Sequence, residues 1–300
     1  MGNEHYYHMY ANGDDAKNFI TCEEEFKAAF NRFALCQYLT GVAVLSFSVE
    51  DSHPHALLWG DYDSCLQFKR VYEDLSIRSI IQKRGSKDGV ILECELLEIE
   101  DEQHLLNTGT YTVTQATKDG KAVMPYDYLY GTGSLYFRSK NAILPWLIDK
   151  NGNQLKPERL GDQTLRKKVQ ICGSRIILPP DYLICNGFIL PTNYIDIKRF
   201  EAIYRTHNRF RVFMATSKQK DEEIMRKMAA ARGVVIEDLH ARKLCDELCL
   251  QLFGKQTTRN LTTDNRIILS QNLRRKYNIS FRQLALLVKL PETELRKYVK

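Results

Sequence analysis

The stretch from Val42 to Trp59 constrains the fold more than any other. An apolar run (Val42, Ala43, Val44, Leu45, Phe47, Val49) leads into Ser52-His53-Pro54-His55 and then Ala56-Leu57-Leu58-Trp59. The run is short, β-branched and aromatic, and the acidic pair Glu50-Asp51 breaks it, which predicts two strands meeting at a corner. Alternate side chains of a strand share a face, so His53 and His55 should project together. A helix would splay them about 200° apart, and Pro54 argues against a helix interior. Two imidazoles side by side on a rigid strand form half of a metal site. The plainer alternative is a satisfied histidine pair at a strand end.

Around this stretch the first half reads as mixed strands and helices. His5–Tyr10 is a short strand closed by the turn signal Ala11-Asn12-Gly13-Asp14. Thr21-Cys22-Glu23-Glu24 is a capping box, and Phe26, Ala29, Phe30, Phe33 and Ala34 recur at helical spacing after it, up to about Tyr38–Gly41. Ser64–Gln82 predicts a second helix, Val90–Ile99 a strand, and Asp101–Gln115 a helix interrupted by Gly109. Met124–Gly133 reads as loop, followed by a strand-like Ser134-Leu135-Tyr136-Phe137. The order β-α-β-β-α-β-α favours an antiparallel sheet with helices packed on it, an α+β fold.

Domain boundaries follow composition. Lys150–Gly161 loses its apolar residues, so residues 1–149 form a first domain, 150–219 a connecting region and 220–300 a helical region. Within the connecting region only Ile195–Tyr204 reads clearly as a helix. From residue 220 onward helices are predicted at Asp221–Arg232, Glu237–Phe253 and Thr263–Tyr277. Ser280-Phe281-Arg282-Gln283 is a capping box opening Leu284–Val288. A break at Lys289-Leu290 precedes Pro291 and a last helix, Glu292–Val299. This pair of short helices resembles a helix-turn-helix, although the last hairpin of a helical bundle would look the same.

Charge sharpens the division. Residues 1–150 carry 14 Lys and Arg against 22 Asp and Glu, whereas residues 151–300 carry 29 against 15. Over residues 270–300 there are eight basic residues and two Glu. A strongly basic half points to a polyanion, most often nucleic acid. No apolar run approaches 18 residues and the N-terminus lacks a basic and then hydrophobic signal, which predicts a cytosolic protein of bacterial type with no membrane partner. The eight cysteines are scattered without a Cys-x-x-Cys, as expected of buried free thiols.

A two-histidine metal site needs further ligands and a reactive group. If residues 105–115 are helical, Tyr111 and Gln115 share a face at i and i+4. The Gln amide oxygen would then be a third ligand, with the phenol directed at whatever the metal binds. Alternatively, Tyr111 is an ordinary core tyrosine, one of 16.

Taken together, His53-Pro54-His55 on a strand and a following helix bearing Tyr-x-x-x-Gln resemble the single-tyrosine HUH transposases of small insertion sequences and their REP-associated relatives. Tyr7-His8-Met9-Tyr10-Ala11-Asn12-Gly13 looks like that family's first strand and turn. Asp127-Tyr128-Leu129-Tyr130-Gly131-Thr132-Gly133-Ser134 looks like its aromatic segment after the tyrosine. The likeness spans residues 5–137. Gln115-Ala116-Thr117 stands where REP-associated members tend to read Asn-Pro, which brings the chain nearer the insertion-sequence type.

The resemblance implies a ferredoxin-like (RRM-like) antiparallel sheet with packed helices, followed by an all-α, helix-turn-helix-like C-terminal region. It implies a metal-dependent single-stranded DNA transposase in which Tyr111 forms a 5′-phosphotyrosine. His53, His55 and Gln115 would hold Mg²⁺ or Mn²⁺, although the histidines would also accept Zn²⁺. The expected partner is single-stranded DNA with hairpin or palindromic ends, bound by a monomer or a homodimer. Arg274, Arg275, Lys276, Arg282, Gln283, Thr293, Arg296 and Lys297 are the expected DNA contacts. The rival expectation is a domesticated, non-catalytic DNA- or RNA-binding regulator with the same fold.

Overall fold

In the computed structural model, which describes residues 4–11, 16–50, 53–118, 121–139, 141–216, 224, 227, 228 and 238–299, strands β1 (His5–Tyr10), β3 (Ala43–Val49), β4 (Pro54–Gly60) and β6 (Glu95–Glu98) form an antiparallel sheet. Its order is β3-β4-β1-β6. The expected turn at Asn12-Gly13 and the helix at Asp221–Arg232 fall largely outside the described residues. The chain divides into two units, Met1–Ile224 and Met225–Lys300. No helix among the described residues is long and apolar enough to cross a membrane.

Strand register sorts the side chains onto two faces. Tyr7, Met9, Phe47, Ala56 and Leu58 share one face through the pairs Tyr7↔Leu58, Met9↔Ala56 and Phe47↔Ala56. Helices α1 (Glu23–Thr40) and α2 (Tyr62–Arg84) cover it. Phe33 of α1 stacks on Phe47 at 4.1 Å between ring centres and touches Tyr72 of α2 at 4.8 Å. The opposite face carries His8, Tyr10, Ser46, Ser48, His55 and Leu57, and α3 (Glu102–Lys118) lies over β3 and β4 there.

Several boundaries depart from expectation for reasons visible in the packing. The N-cap of α1 is Cys22, one residue later than the box at Thr21 implies. The carboxylate that answers Thr21 is that of Glu25, which accepts from its N–H at 2.8 Å and its hydroxyl at 3.0 Å, while Arg84 at the end of α2 holds the same carboxylate. Strand Val90–Ile99 splits into β5 (Ile91–Leu92), paired with β2 (Ala16–Lys17), and β6. At the break, the Cys94 N–H donates to Glu73 at 2.6 Å and its carbonyl accepts from Lys69 at 2.7 Å. Side chains of α2 thus take the backbone groups that a continuous ladder would need.

Helix α3 runs unbroken through Gly109. A Cβ there would lie 2.6 Å from the Tyr204 hydroxyl, so the glycine permits a close approach instead of breaking the helix. Ser134–Phe137 is not a strand: a single 3₁₀ turn, Gly133–Leu135, occupies it. Gly133 sits where a Cβ would be 2.5 Å from the Pro125 carbonyl oxygen.

The segment read as a connecting region belongs to the first unit. It supplies α4 (Leu165–Cys172), a small sheet of β7 (Glu158–Arg159), β8 (Leu183–Cys185) and β9 (Phe188–Ile189), then α5 (Ile197–Tyr204) and α6 (His207–Ala215). Buried Asn31 of α1 donates to the carbonyls of Ile171 and Gly187 and accepts from the Ile189 N–H. Phe200 of α5 stacks on Tyr136 at 3.7 Å. Short elements with their own turns hid this packing from a periodicity argument.

The second unit is helical: α7 (Asp238–Phe253), α8 (Thr263–Tyr277), α9 (Phe281–Val288) and α10 (Glu292–Tyr298). Leu269, Leu273, Leu284, Val288 and Leu295 fill its core. Ser280 caps α9 by accepting from the Gln283 N–H, and Lys289 takes the left-handed conformation (φ 55°) at its end. Pro291 is the N-cap of α10.

Candidate active site

The polar face of the sheet brings the sequence-predicted residues together. His55 stands opposite Tyr10 on β1 and Ser48 on β3. His53, just before β4, has its ring centre 4.7 Å from that of His55, as a strand period of two requires. Tyr111 of α3 meets His55 edge-on at 5.3 Å between ring centres. Tyrosine and histidines come from the same chain.

Sequence reasoning missed His8. It lies on β1 opposite Leu57, diagonal to His55, with its Nε2 3.3 Å from His55 Nδ1 and its ring 5.8 Å from that of Tyr111. The strand itself was legible. The register that slides His8 alongside His55 was not, because it depends on which strand pairs with which.

Helix α3 is pinned at both ends and along both sides. Asp101 accepts from the His104 N–H at 2.7 Å, capping the N-terminal turn. Toward the sheet, Thr112 hydrogen-bonds Ser46 of β3 at 2.6 Å. On the far side, the Tyr204 hydroxyl donates to the Leu106 carbonyl at 2.7 Å and contacts Thr110 at 2.9 Å. Burial pushes the Tyr204 phenol well above its usual range, so it stays protonated as a donor. Past the helix end, Lys121 pairs with Glu50 at 2.8 Å, and Glu50 also accepts from Ser48 at 2.6 Å. Glu50 ends the stretch from β3, and its N–H donates to the His53 carbonyl at 2.8 Å. One buried ion pair therefore ties the histidine corner to the tyrosine helix.

Gln115, one turn beyond Tyr111, is buried, and its Nε2 has no hydrogen-bond partner among the described residues. A buried amide held this way is costly unless something else engages it. Among the described residues no group of three His, Cys, Asp or Glu is poised to hold a metal ion, so a site here would combine imidazoles with the Oε1 of that amide, because its Nε2 is a donor that binds no cation. This donor set fits a divalent ion of the borderline class. The site is also closed: Tyr111 is 7% exposed and His55 1%.

The expected DNA contacts of the second unit separate by burial. Arg274 is buried, donates to the Ile279 carbonyl at 3.0 Å and lies 4.6 Å from the Phe281 ring centre. Arg296 covers the same ring at 4.5 Å and pairs with Glu292. Gln283 is buried and donates to Asp238 at 3.0 Å. These three are engaged in holding the unit together. Arg275, Lys276, Arg282 and Lys297 are exposed and Thr293 is half-buried.

No protein-family model matches the chain, and no curated protein matches it. Among solved structures, the chain is similar to one described as "Structure of the REP associates tyrosine transposase bound to a REP hairpin". The match has 10% sequence identity and a TM-score of 0.34, and covers 52% of this chain and 93% of that one.

Proposed function

We propose that the first unit is a ferredoxin-like, single-tyrosine HUH nuclease that nicks and rejoins single-stranded DNA. The observation that carries this reading is the placement of Tyr111 against His55 in one chain, with Gln115 one turn further along the same helix.

In the proposed reaction the Tyr111 oxygen attacks the phosphorus of a phosphodiester. The tyrosine–phosphorus bond forms as the bond to the 3′ oxygen breaks. The phenolic proton passes to solvent, and the departing 3′ oxygen takes one up. The resulting 5′-phosphotyrosine keeps the ester's bond energy, so a second 3′-hydroxyl can reverse the step without ATP. A phenol of ordinary pKa, about 10, is a weak nucleophile at neutral pH. A divalent ion held by His53, His55 and Gln115, Mg²⁺ or Mn²⁺, would supply polarisation of the scissile phosphate. Because Tyr111 is buried, its ring must turn outward when the strand enters. The acidic first half makes phosphate attraction weak there, so stacking and shape would hold the bases. The second unit, helix-turn-helix-like, would add phosphate contacts through Arg275, Lys276, Arg282 and Lys297, with Thr293 beside them.

A second reading, a DNA- or RNA-binding regulator that keeps the fold without the chemistry, is favoured by the burial of Tyr111 and His55. The two separate in one experiment. A pool of single-stranded oligonucleotides carrying hairpins with randomised flanks is incubated with the protein and Mn²⁺, then resolved on a denaturing gel. The nuclease reading expects a covalent adduct that Tyr111→Phe abolishes. An adduct surviving in Tyr111→Phe reassigns the nucleophile, and salt-sensitive binding without any adduct supports the regulator.

A further inference from the structure

We propose that the first unit carries a second binding site, a cleft that takes a phosphorylated small molecule of nucleotide size, an organic di- or triphosphate. The cleft goes beyond the nuclease reading and does not depend on it. Helix α1, which covers the face of the sheet away from α3, forms one wall, and α4 with the β8–β9 turn forms the other. The cleft encloses about 570 Å³, a size ordinary for small-molecule sites. Lys27, Lys83, Lys156 and Lys167 converge on it from α1, the end of α2, the segment before β7 and α4. Glu24 and Glu158 also line it, so four cations face two anions.

Like charges gathered around one cleft repel, and low-dielectric walls concentrate their field, so such a cleft favours an anion. Lys27 already pairs with Glu23 at 2.9 Å and Lys167 with Glu158 at 3.6 Å. Lys83 and Lys156, both exposed, form no ion pair among the described residues. To satisfy these two ammonium groups, one small ligand must bring at least two negative charges. A di- or triphosphate concentrates that charge together with many acceptor oxygens. Between the lysines the lining is apolar, from Ala28, Leu155, Ile171 and Ile184, and gives the ligand's uncharged body a floor. The walls are set in advance. Buried Asn31, itself on the cleft, donates to the Ile171 carbonyl at 2.9 Å and to the Gly187 carbonyl at 2.8 Å, which ties α4 and the turn to α1. A cleft held in shape before binding lowers the ordering cost of taking up a ligand.

Full-length protein is titrated with ADP, inorganic pyrophosphate and adenosine by calorimetry at low salt. Lysine reactivity toward an acetylating reagent is mapped by mass spectrometry with and without ADP. Saturable binding of ADP is expected, weaker for pyrophosphate and absent for adenosine, with Lys83 and Lys156 protected from acetylation. Each charge-assisted bond lost should raise the Kd about tenfold, so Lys156→Gln weakens ADP binding by about that factor and the double variant Lys83→Gln, Lys156→Gln by more. Lys198→Gln, at an exposed lysine of α5 outside the cleft, should leave the affinity unchanged. No saturable ADP binding, an affinity unmoved by the double substitution, or a single-stranded oligonucleotide protecting these lysines where ADP does not would each overturn the assignment. ADP binding needs neither Tyr111 nor a covalent adduct, so failure here is not failure of the nuclease reading.

Discussion

The two faces of the central sheet are built on opposite principles. Beneath α1 and α2 the contact is aromatic and aliphatic, with Phe33 stacked on Phe47 and tilted against Tyr72. Beneath α3 the same strands present His8, Ser46, Ser48 and His55, and the helix answers with Thr112 and Tyr111. Both faces are buried, yet only the first gains from burial alone. A buried polar layer contributes little net stability even when it is bonded, and each unsatisfied group costs. The chain compensates by clamping α3 from outside, through Tyr204, and at its end, through Lys121. The hydrocarbon face holds the fold, and the polar face is held by it.

That contrast breaks first on the hydrocarbon side. Phe33→Ala removes a ring stacked on Phe47 and packed against Tyr72, and should cost about 3–5 kcal/mol in chemical denaturation. If the loss were as small as that for a serine on the other face, the division of labour proposed here would be wrong. Next is Gly109→Ala, which drives a methyl group against the Tyr204 hydroxyl 2.6 Å away. Overpacking of this kind costs about 1–3 kcal/mol. Placed in a Tyr204→Phe background, where that hydroxyl is gone, the same substitution should cost clearly less, as a double-mutant cycle would record.

Lys121→Met leaves Glu50, at 1% side-chain exposure, without its cation. Breaking a buried pair from one side costs about 3–5 kcal/mol, but Lys121 is 23% exposed, and solvent screening reduces this to roughly 1–2 kcal/mol. Since the pair joins the histidine corner to α3, the variant should also loosen Tyr111, seen as faster amide exchange over the last turns of that helix. Ser46→Ala removes one hydrogen bond to Thr112 and should cost only about 1 kcal/mol.

Much of this was legible in the sequence, and the misses have physical causes. β1 falls at His5–Tyr10 and α8 at Thr263–Tyr277, as read, because turn and cap chemistry mark their ends. His53 and His55 share a face because the strand period is local. Cys94 was lost as a strand residue because Glu73 and Lys69, about twenty residues upstream, take its backbone. Gly109 read as a break because nothing nearby announces Tyr204, nearly a hundred residues on. His8 belongs to the same class: its importance lies in a register that only pairing reveals. Arg274 and Gln283 looked like surface contacts because helical spacing alone does not say which basic or amide side chain turns inward.

The smallest expected effect lies at the rim of the hydrocarbon face and depends on pH. Burial raises the Glu25 carboxyl, but hydrogen bonds from Arg84 and from Thr21 outweigh it, and its pKa falls below the ordinary 4.5. A carboxyl depressed in the folded state contributes stability above its unfolded pKa and loses it as pH falls through the lower folded value. Acid titration of thermal stability should therefore steepen below about pH 4.5 in the native chain and flatten in Arg84→Met. Arg84 is 24% exposed, so screening keeps the difference modest. An equal acid slope in both proteins would show that the Thr21 bonds alone depress Glu25, and that α1 is capped locally without help from the end of α2.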